Sequence, residues 1–260
     1  MSSTIPAVFF GHGSPMNALA RNEYSEAWRR VGESMPKPRA VLAVSAHWYT
    51  RGTLVTADEH PKTVHDFYGF PKALFDVQYP APGDPALVER VRELLAPVPV
   101  RPDRSWGFDH GTWSVLVHVY PKADVPVLQL SIDATQPPQF HYDLGRRLAP
   151  LRDEGVLLAG FGNVVHNLQA MRRTEDATAF DWAARFESAI RKALIGRDHD
   201  TLVHWERLGD DARLSVPTPE HYLPLLYVAG AQRDAEQVAI AVDGVDLGSI
   251  SMLTAVVGSA

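Results

Sequence analysis

Short β-rich apolar runs alternate along this chain with stretches in which apolar residues return at helical spacing. The runs predict strands at Ala7 to Gly11, Ala40 to Ala46, Thr53 to Ala57, Phe75 to Tyr79, Val125 to Ser131 and Val156 to Gly160. The periodic stretches predict helices at Glu23 to Met35, Pro85 to Leu95, Pro138 to Arg152, Trp182 to Leu194 and Glu220 to Ala231. In the second of these, Leu87, Val91, Leu94 and Leu95 repeat at the helical period, with Asp84 placed as N-cap and Pro85 at the first helical position. From Val238 to Val257 two apolar strands surround "DGVDLGS" and read as a hairpin returning to the sheet. This order predicts an α/β fold with a mixed central sheet flanked by helices. "APGDPA" and "DATQPPQ" read as loops inside a single domain spanning 1–260 rather than as boundaries.

Composition narrows the function classes. Hydrophobic residues make up 45% and charged residues 22% of 260, the balance of a soluble globular protein. No apolar run approaches the roughly 18 residues of a membrane span, and the N-terminus carries no signal-peptide pattern, so a cytoplasmic protein with no membrane partner is expected. The formal charge of −6, with Lys and Arg scattered, offers no footprint for nucleic acid. The absence of cysteine removes disulfides, thiolate nucleophiles and thiolate-bound metals together. Any metal must therefore be held by imidazole and oxygen.

Eleven histidines make their positions informative. His60, His118, His141, His199 and His204 sit in helical, loop or charged contexts and read as structural or surface residues. His12, His47 and His166 each follow an apolar strand, and open α/β sheets bind ligands beyond the carboxyl ends of their strands. His12 lies between Gly11 and Gly13, which allow unusual backbone angles and close approach to an ion. On these local features each reads either as a ligand or as a satisfied core histidine. The opening "GHGSPM" is no dinucleotide loop, because Met16 stands where the last glycine is required, and Ser14 lacks the flanking glycines of a nucleophile elbow. "WGFDHGTW" sets His110 beside Asp109 and near Trp106 and Trp113, a setting suited to a flat substrate. "GFGNVVHNL" places His166 at a strand-to-helix turn, and "PTPEHYLPLLY" places His221 in a helical first turn beside Glu220 and Tyr222.

"GHGSPMNAL", "SAHW", "HDFYGFPKALFDVQYPAPGDP", "DHGTW", "GNVVHNL" and "EHYLPLLYVAGA" resemble, in order and spacing, the class III (LigB-type) extradiol ring-cleavage dioxygenases, and most of all their 4,5-DOPA dioxygenase branch. The resemblance runs from about Val8 to about Ala231 and, more loosely, through the C-terminal strands. It implies a metal site at the C-terminal ends of strands, with His12, His47 and His221 as ligands, His166 as catalytic acid/base and His110 beside substrate or oxygen. Asp109, Trp113 and Tyr222 are expected at the substrate. The implied cofactor is non-haem Fe(II), with Zn(II) a second occupant of the same imidazoles; the implied partners are a small catechol and O2, the chain acting as a monomer or small homo-oligomer. The expected reaction opens a DOPA-like catechol to a muconic semialdehyde. Many relatives use a carboxylate as third ligand where His221 stands here, and Phe161 occupies a position expected to be small and polar, which bears on pocket shape. A zinc-dependent hydrolase on the same three imidazoles, or a non-catalytic binding protein of the same fold, are the alternatives.

Overall fold

In a computed structural model, residues 4–172, 174 and 178–258 are described. The strands are β1 (Ala7–Gly11), β2 (Ala40–Thr50), β3 (Thr53–Thr56), β4 (Val100–Asp103), β5 (Val127–Asp133), β6 (Val156–Gly162), β7 (Val238–Val242), β8 (Val245–Asp246), β9 (Ile250–Ser251) and β10 (Thr254–Val257). The α-helices are α1 (Glu23–Ser34), α2 (Lys72–Phe75), α3 (Pro85–Leu95), α4 (His110–Val119), α5 (Pro138–Leu148), α6 (Asp181–Gly196), α7 (His199–Val203), α8 (Asp210–Ser215) and α9 (Leu223–Gly230).

Eight strands form one mixed sheet in the order β4-β3-β5-β2-β6-β1-β10-β7. Its centre is parallel, β2 pairing with β5 and β6, and β6 with β1. β3 is antiparallel to β5, and β10 is antiparallel to both β1 and β7, so the C-terminal hairpin does return to the sheet, with the short β8–β9 pair inside its connection. β1, β5 and β6 are buried along their whole length, as parallel strands covered on both faces must be. Successive side chains alternate between two cores. Leu42, Leu128 and Leu158 face Val91 of α3, Leu144 of α5, Ile190 of α6 and Leu226 of α9. Val41, Val127 and Leu157 face Trp28 of α1 and Trp113 and Leu116 of α4.

Asp84 does cap α3, accepting the Leu87 N–H at 3.0 Å. Four departures from the expected elements have local causes. Phe75 to Tyr79 is not a strand: Phe75 ends α2, and the apolar character of Tyr79 reflects a loop residue buried with its hydroxyl donating to the Tyr120 carbonyl. β2 continues past Ala46 to Thr50, its register against β5 slipping between Val44 and Tyr49 so that the intervening residues form a bulge. α9 starts at Leu223 with Pro224 in its first turn, leaving Glu220 and His221 in the preceding turn. α4 went unpredicted because its residues from His110 to Leu116 are all buried, which removes the one-sided apolar stripe of a surface helix.

Among the described residues, no helix is long and apolar enough to cross a membrane.

Candidate metal centre and substrate cavity

β1 and β2 both flank β6, so the segments leaving their C-terminal ends meet at one place on the sheet. His12 follows β1 directly, its N–H donating to the Gly162 carbonyl of β6 at 3.2 Å. His47 sits on the bulged part of β2. His221 is brought in by its carbonyl, which accepts the Asn163 N–H at 2.9 Å, and by Gly162, where any Cβ would collide with that carbonyl. Three residues distant in sequence are thereby fastened to the end of one strand.

One ring nitrogen from each of His12, His47 and His221 lies within 4.8 Å of the others. The Nε2 atoms of all three are buried without a hydrogen-bond partner among the described residues. Their Nδ1 atoms, by contrast, face oxygen. His12 Nδ1 lies 3.0 Å from the carbonyl of Gly13, a residue whose φ of +58° favours glycine. His221 Nδ1 lies 3.4 Å from Glu220 Oε1, and His47 Nδ1 lies 3.3 Å from Asp66 Oδ2. A proton held at Nδ1 leaves a lone pair at Nε2, the arrangement of a metal-ligating histidine with its outer partner. Burial, with His110 and His166 nearby, pushes His12 down to about 3, and burial also drives His47 and His221 well below the ordinary imidazole value. All three are neutral near pH 7, which is the ligating form. The donor set therefore fits a divalent metal of imidazole preference, and Glu220 approaches the outer nitrogen of His221 rather than the enclosed one.

His110 and His166 complete the cluster. The His110 ring is 3.9 Å from that of His47, and His166 stacks on His221 with centroids 3.5 Å apart. Burial and His110 lower His166 to about 4, leaving it neutral near pH 7. No helix follows His166 as expected; its segment is bridged to Ile250, and its N–H donates to the Ser215 carbonyl at 2.8 Å. All five histidines line a cavity of about 620 Å³ whose other walls are mainly Phe67, Tyr68, Phe70, Leu168, Met171 and Leu247. The volume is ample for a small-molecule ligand, and the aromatic and aliphatic walls suit the faces of an aromatic ring.

The three residues expected at the substrate do not line this cavity. Asp109 is buried behind it, accepting from Ser45 Oγ at 2.7 Å, from Gln129 and from the Thr112 N–H as N-cap of α4. Burial and the neighbouring Asp66 raise its carboxyl to about 6. Trp113 turns its indole N–H to the Val64 carbonyl at 2.8 Å, supporting the loop that carries Phe67. Tyr222 points away, its hydroxyl donating to the Leu202 carbonyl and its ring packed on Trp205. Phe161 likewise stacks on Phe10 in the core, so it does not shape the cavity wall. Sequence reasoning missed Asp66 and the aromatic wall, although "HDFYGF" holds Asp66, Phe67, Tyr68 and Phe70 in six residues.

Residues 6–257 match the family described as the catalytic LigB subunit of aromatic ring-opening dioxygenase. The chain is 51% identical to 4,5-DOPA dioxygenase extradiol of Escherichia coli K12, covering 99% of this chain and 97% of that protein. It is 39% identical to 4,5-DOPA dioxygenase extradiol of Beta vulgaris over 86% of this chain and 85% of that one. A crystal structure of the Escherichia coli K12 protein JW3007 superposes with a TM-score of 0.86 at 46% identity, covering 97% of this chain and 99% of that one.

Proposed function

Because the chain belongs to the LigB family of aromatic ring-opening dioxygenases and is an extradiol oxidoreductase, we propose that it opens a DOPA-like catechol with O2 at non-haem Fe(II). The product would be a muconic semialdehyde: the ring C–C bond beside the diol breaks, and both atoms of O2 are retained. A DOPA-derived product could then cyclise through its amine. The observation that carries this reading is the convergence of three buried, unpartnered Nε2 atoms at an aromatic-walled cavity large enough for a catechol.

In this reading His12, His47 and His221 hold the iron. A metal held there would supply Lewis acidity toward a catechol and the redox chemistry that lets O2 react with its electron-rich ring. The protein's part is to position and to move protons. Phe67 and Phe70 on one loop, with Leu168 and Met171 from another, hold the ring and exclude water around it. An imidazole nitrogen of His166 takes a catechol hydroxyl proton, a role suited to a group that is neutral near pH 7. His110 lies across the cluster and orients the oxygen or supplies the proton needed as the O–O bond breaks. The DOPA preference is supported by the names of the relatives at 51% and 39% identity. The same proposal takes in a small-molecule enzyme working in the cytoplasm.

The reading is tested by running the reaction with L-DOPA under ¹⁸O2 and weighing the product. Incorporation of two labelled atoms into a ring-opened semialdehyde is expected, allowing for exchange at the aldehyde. A product cleaved between the two hydroxyl-bearing carbons, or one with no label after trapping, would overturn it.

A further inference from the structure

Asp66 lies on the loop between β3 and α2, outside the expected ligand set, yet it touches two of the five clustered histidines. Its Oδ2 is 3.3 Å from His47 Nδ1, and its Oδ1 is 3.0 Å from His110 Nδ1. Oδ1 also accepts the His110 backbone N–H at 2.9 Å, which pins the carboxylate at the first turn of α4. Neither ring contact has hydrogen-bond geometry, and His110 Nδ1 has no hydrogen-bond partner among the described residues; contacts in an active site often align only once the site is loaded. We propose that Asp66 is a positioning residue for both rings at once, holding the proton of each at Nδ1 and so presenting the Nε2 lone pair of His47 to a metal and Nε2 of His110 to the cavity. This deepens the reading above, in which His47 is a ligand and His110 serves the chemistry.

The physical reason lies in the shape of the carboxylate. An ionised carboxylate accepts on both oxygens and donates nowhere, so both neighbouring nitrogens must be N–H donors. His47 needs this most, because its Nε2 is buried with no other partner, and a proton there would find no acceptor among the described residues. A purely structural Asp66 would need only one acceptor oxygen for the His110 N–H. An asparagine supplies that acceptor equally well but turns its NH2 toward one of the rings, favouring a proton at Nε2 instead. Asp66→Asn therefore separates positioning from capping.

The test uses the full-length, metal-free protein and ¹⁵N–¹H correlation spectra of the imidazoles, with zinc(II) titration as the binding probe; neither readout requires turnover. In the wild type His47 and His110 are expected as Nδ1–H tautomers. In Asp66→Asn at least one shifts toward Nε2–H, and zinc affinity falls by about 10- to 100-fold, the usual effect of losing an outer-shell partner. Asp66→Glu, which keeps an acceptor-only group, should recover part of that affinity. An Nε2–H tautomer of His47 in the wild type would overturn the proposal even if the variants failed to fold. So would unchanged tautomers and zinc affinity in a folded Asp66→Asn protein. Retained zinc effects without oxygenase activity would instead count against the dioxygenase reading alone.

Discussion

The imidazole of His166 lies face to face on that of His221, with centroids 3.5 Å apart and planes 7° from parallel. A ring so placed stands beside the proposed metal without belonging to the three-nitrogen set. His166→Ala should therefore keep its metal and lose about 10²- to 10⁴-fold in kcat, the range for removing a general acid/base. His12→Ala should lose the metal itself. Metal content by mass spectrometry beside single-turnover rates checks both, and full turnover in metal-replete His166→Ala would refute the role.

Gly111 makes a subtler handle. A Cβ added there would come 2.7 Å from His47 Cδ2 and 2.9 Å from Ser45 Oγ. In a helix, Gly→Ala ordinarily stabilises by about 1 kcal/mol. Gly111→Ala should instead press the His47 ring out of place, weakening metal retention with no gain in thermal stability. Unchanged metal affinity with a raised Tm would show that the ring has room to move.

His141 supplies a pH dependence away from the centre. It is fully buried, with Nδ1 3.0 Å from the Tyr227 hydroxyl, and burial lowers it to about 4. Its unfolded value of 6.5 is higher, so below pH 6.5 the unfolded chain binds a proton that the folded chain refuses. The neutral-form stability is complete above pH 6.5 and is lost as pH falls toward about 4, by about 3 kcal/mol at most. Urea unfolding of the metal-free protein at pH 7 and pH 4.5 should show a smaller difference in His141→Gln than in wild type. Equal differences would remove His141 as a source.

Arg152 ties together segments beside the neighbouring strands β1, β10 and β7 on one side of the sheet. Its buried guanidinium donates to the Ile5 and Ala231 carbonyls and pairs with Glu236 at 2.7 Å. Arg152→Met leaves Glu236 and two carbonyls short of donors and should cost about 3–5 kcal/mol. Because Ile5 precedes β1 whereas His12 follows it, KM for a catechol should stay unchanged in the folded fraction. A denaturation midpoint equal to wild type would contradict this clamp.

The sequence revealed some parts of this site and concealed others for definable reasons. His12 stood out because a strand's end is visible in a run of apolar residues, and such ends bind ligands in an α/β sheet; His47 stood out because its apolar run stops at Ala46, although β2 itself bulges there and continues to Thr50. Asp109, Trp113 and Tyr222 were drawn in by sequence adjacency to histidines. Adjacent side chains diverge, however: Tyr222 points to Trp205 while His221 faces the cluster, and Asp109 is spent capping α4. Asp66 was hidden because its role depends on where a loop folds over β2 and the start of α4, which no local pattern records. The strand expected at Phe75 to Tyr79 failed similarly, because apolar density can signal a buried loop as well as a paired strand.

The central claim is that His12, His47 and His221 hold an iron that opens a catechol ring. Its most direct test is anaerobic reconstitution with Fe(II), followed by mixing with aerated L-DOPA while oxygen uptake and the visible spectrum are recorded together. The account predicts one O2 consumed per catechol with the rise of a yellow product, and neither change in His12→Ala. Bound iron with no oxygen uptake across a panel of catechols would contradict it.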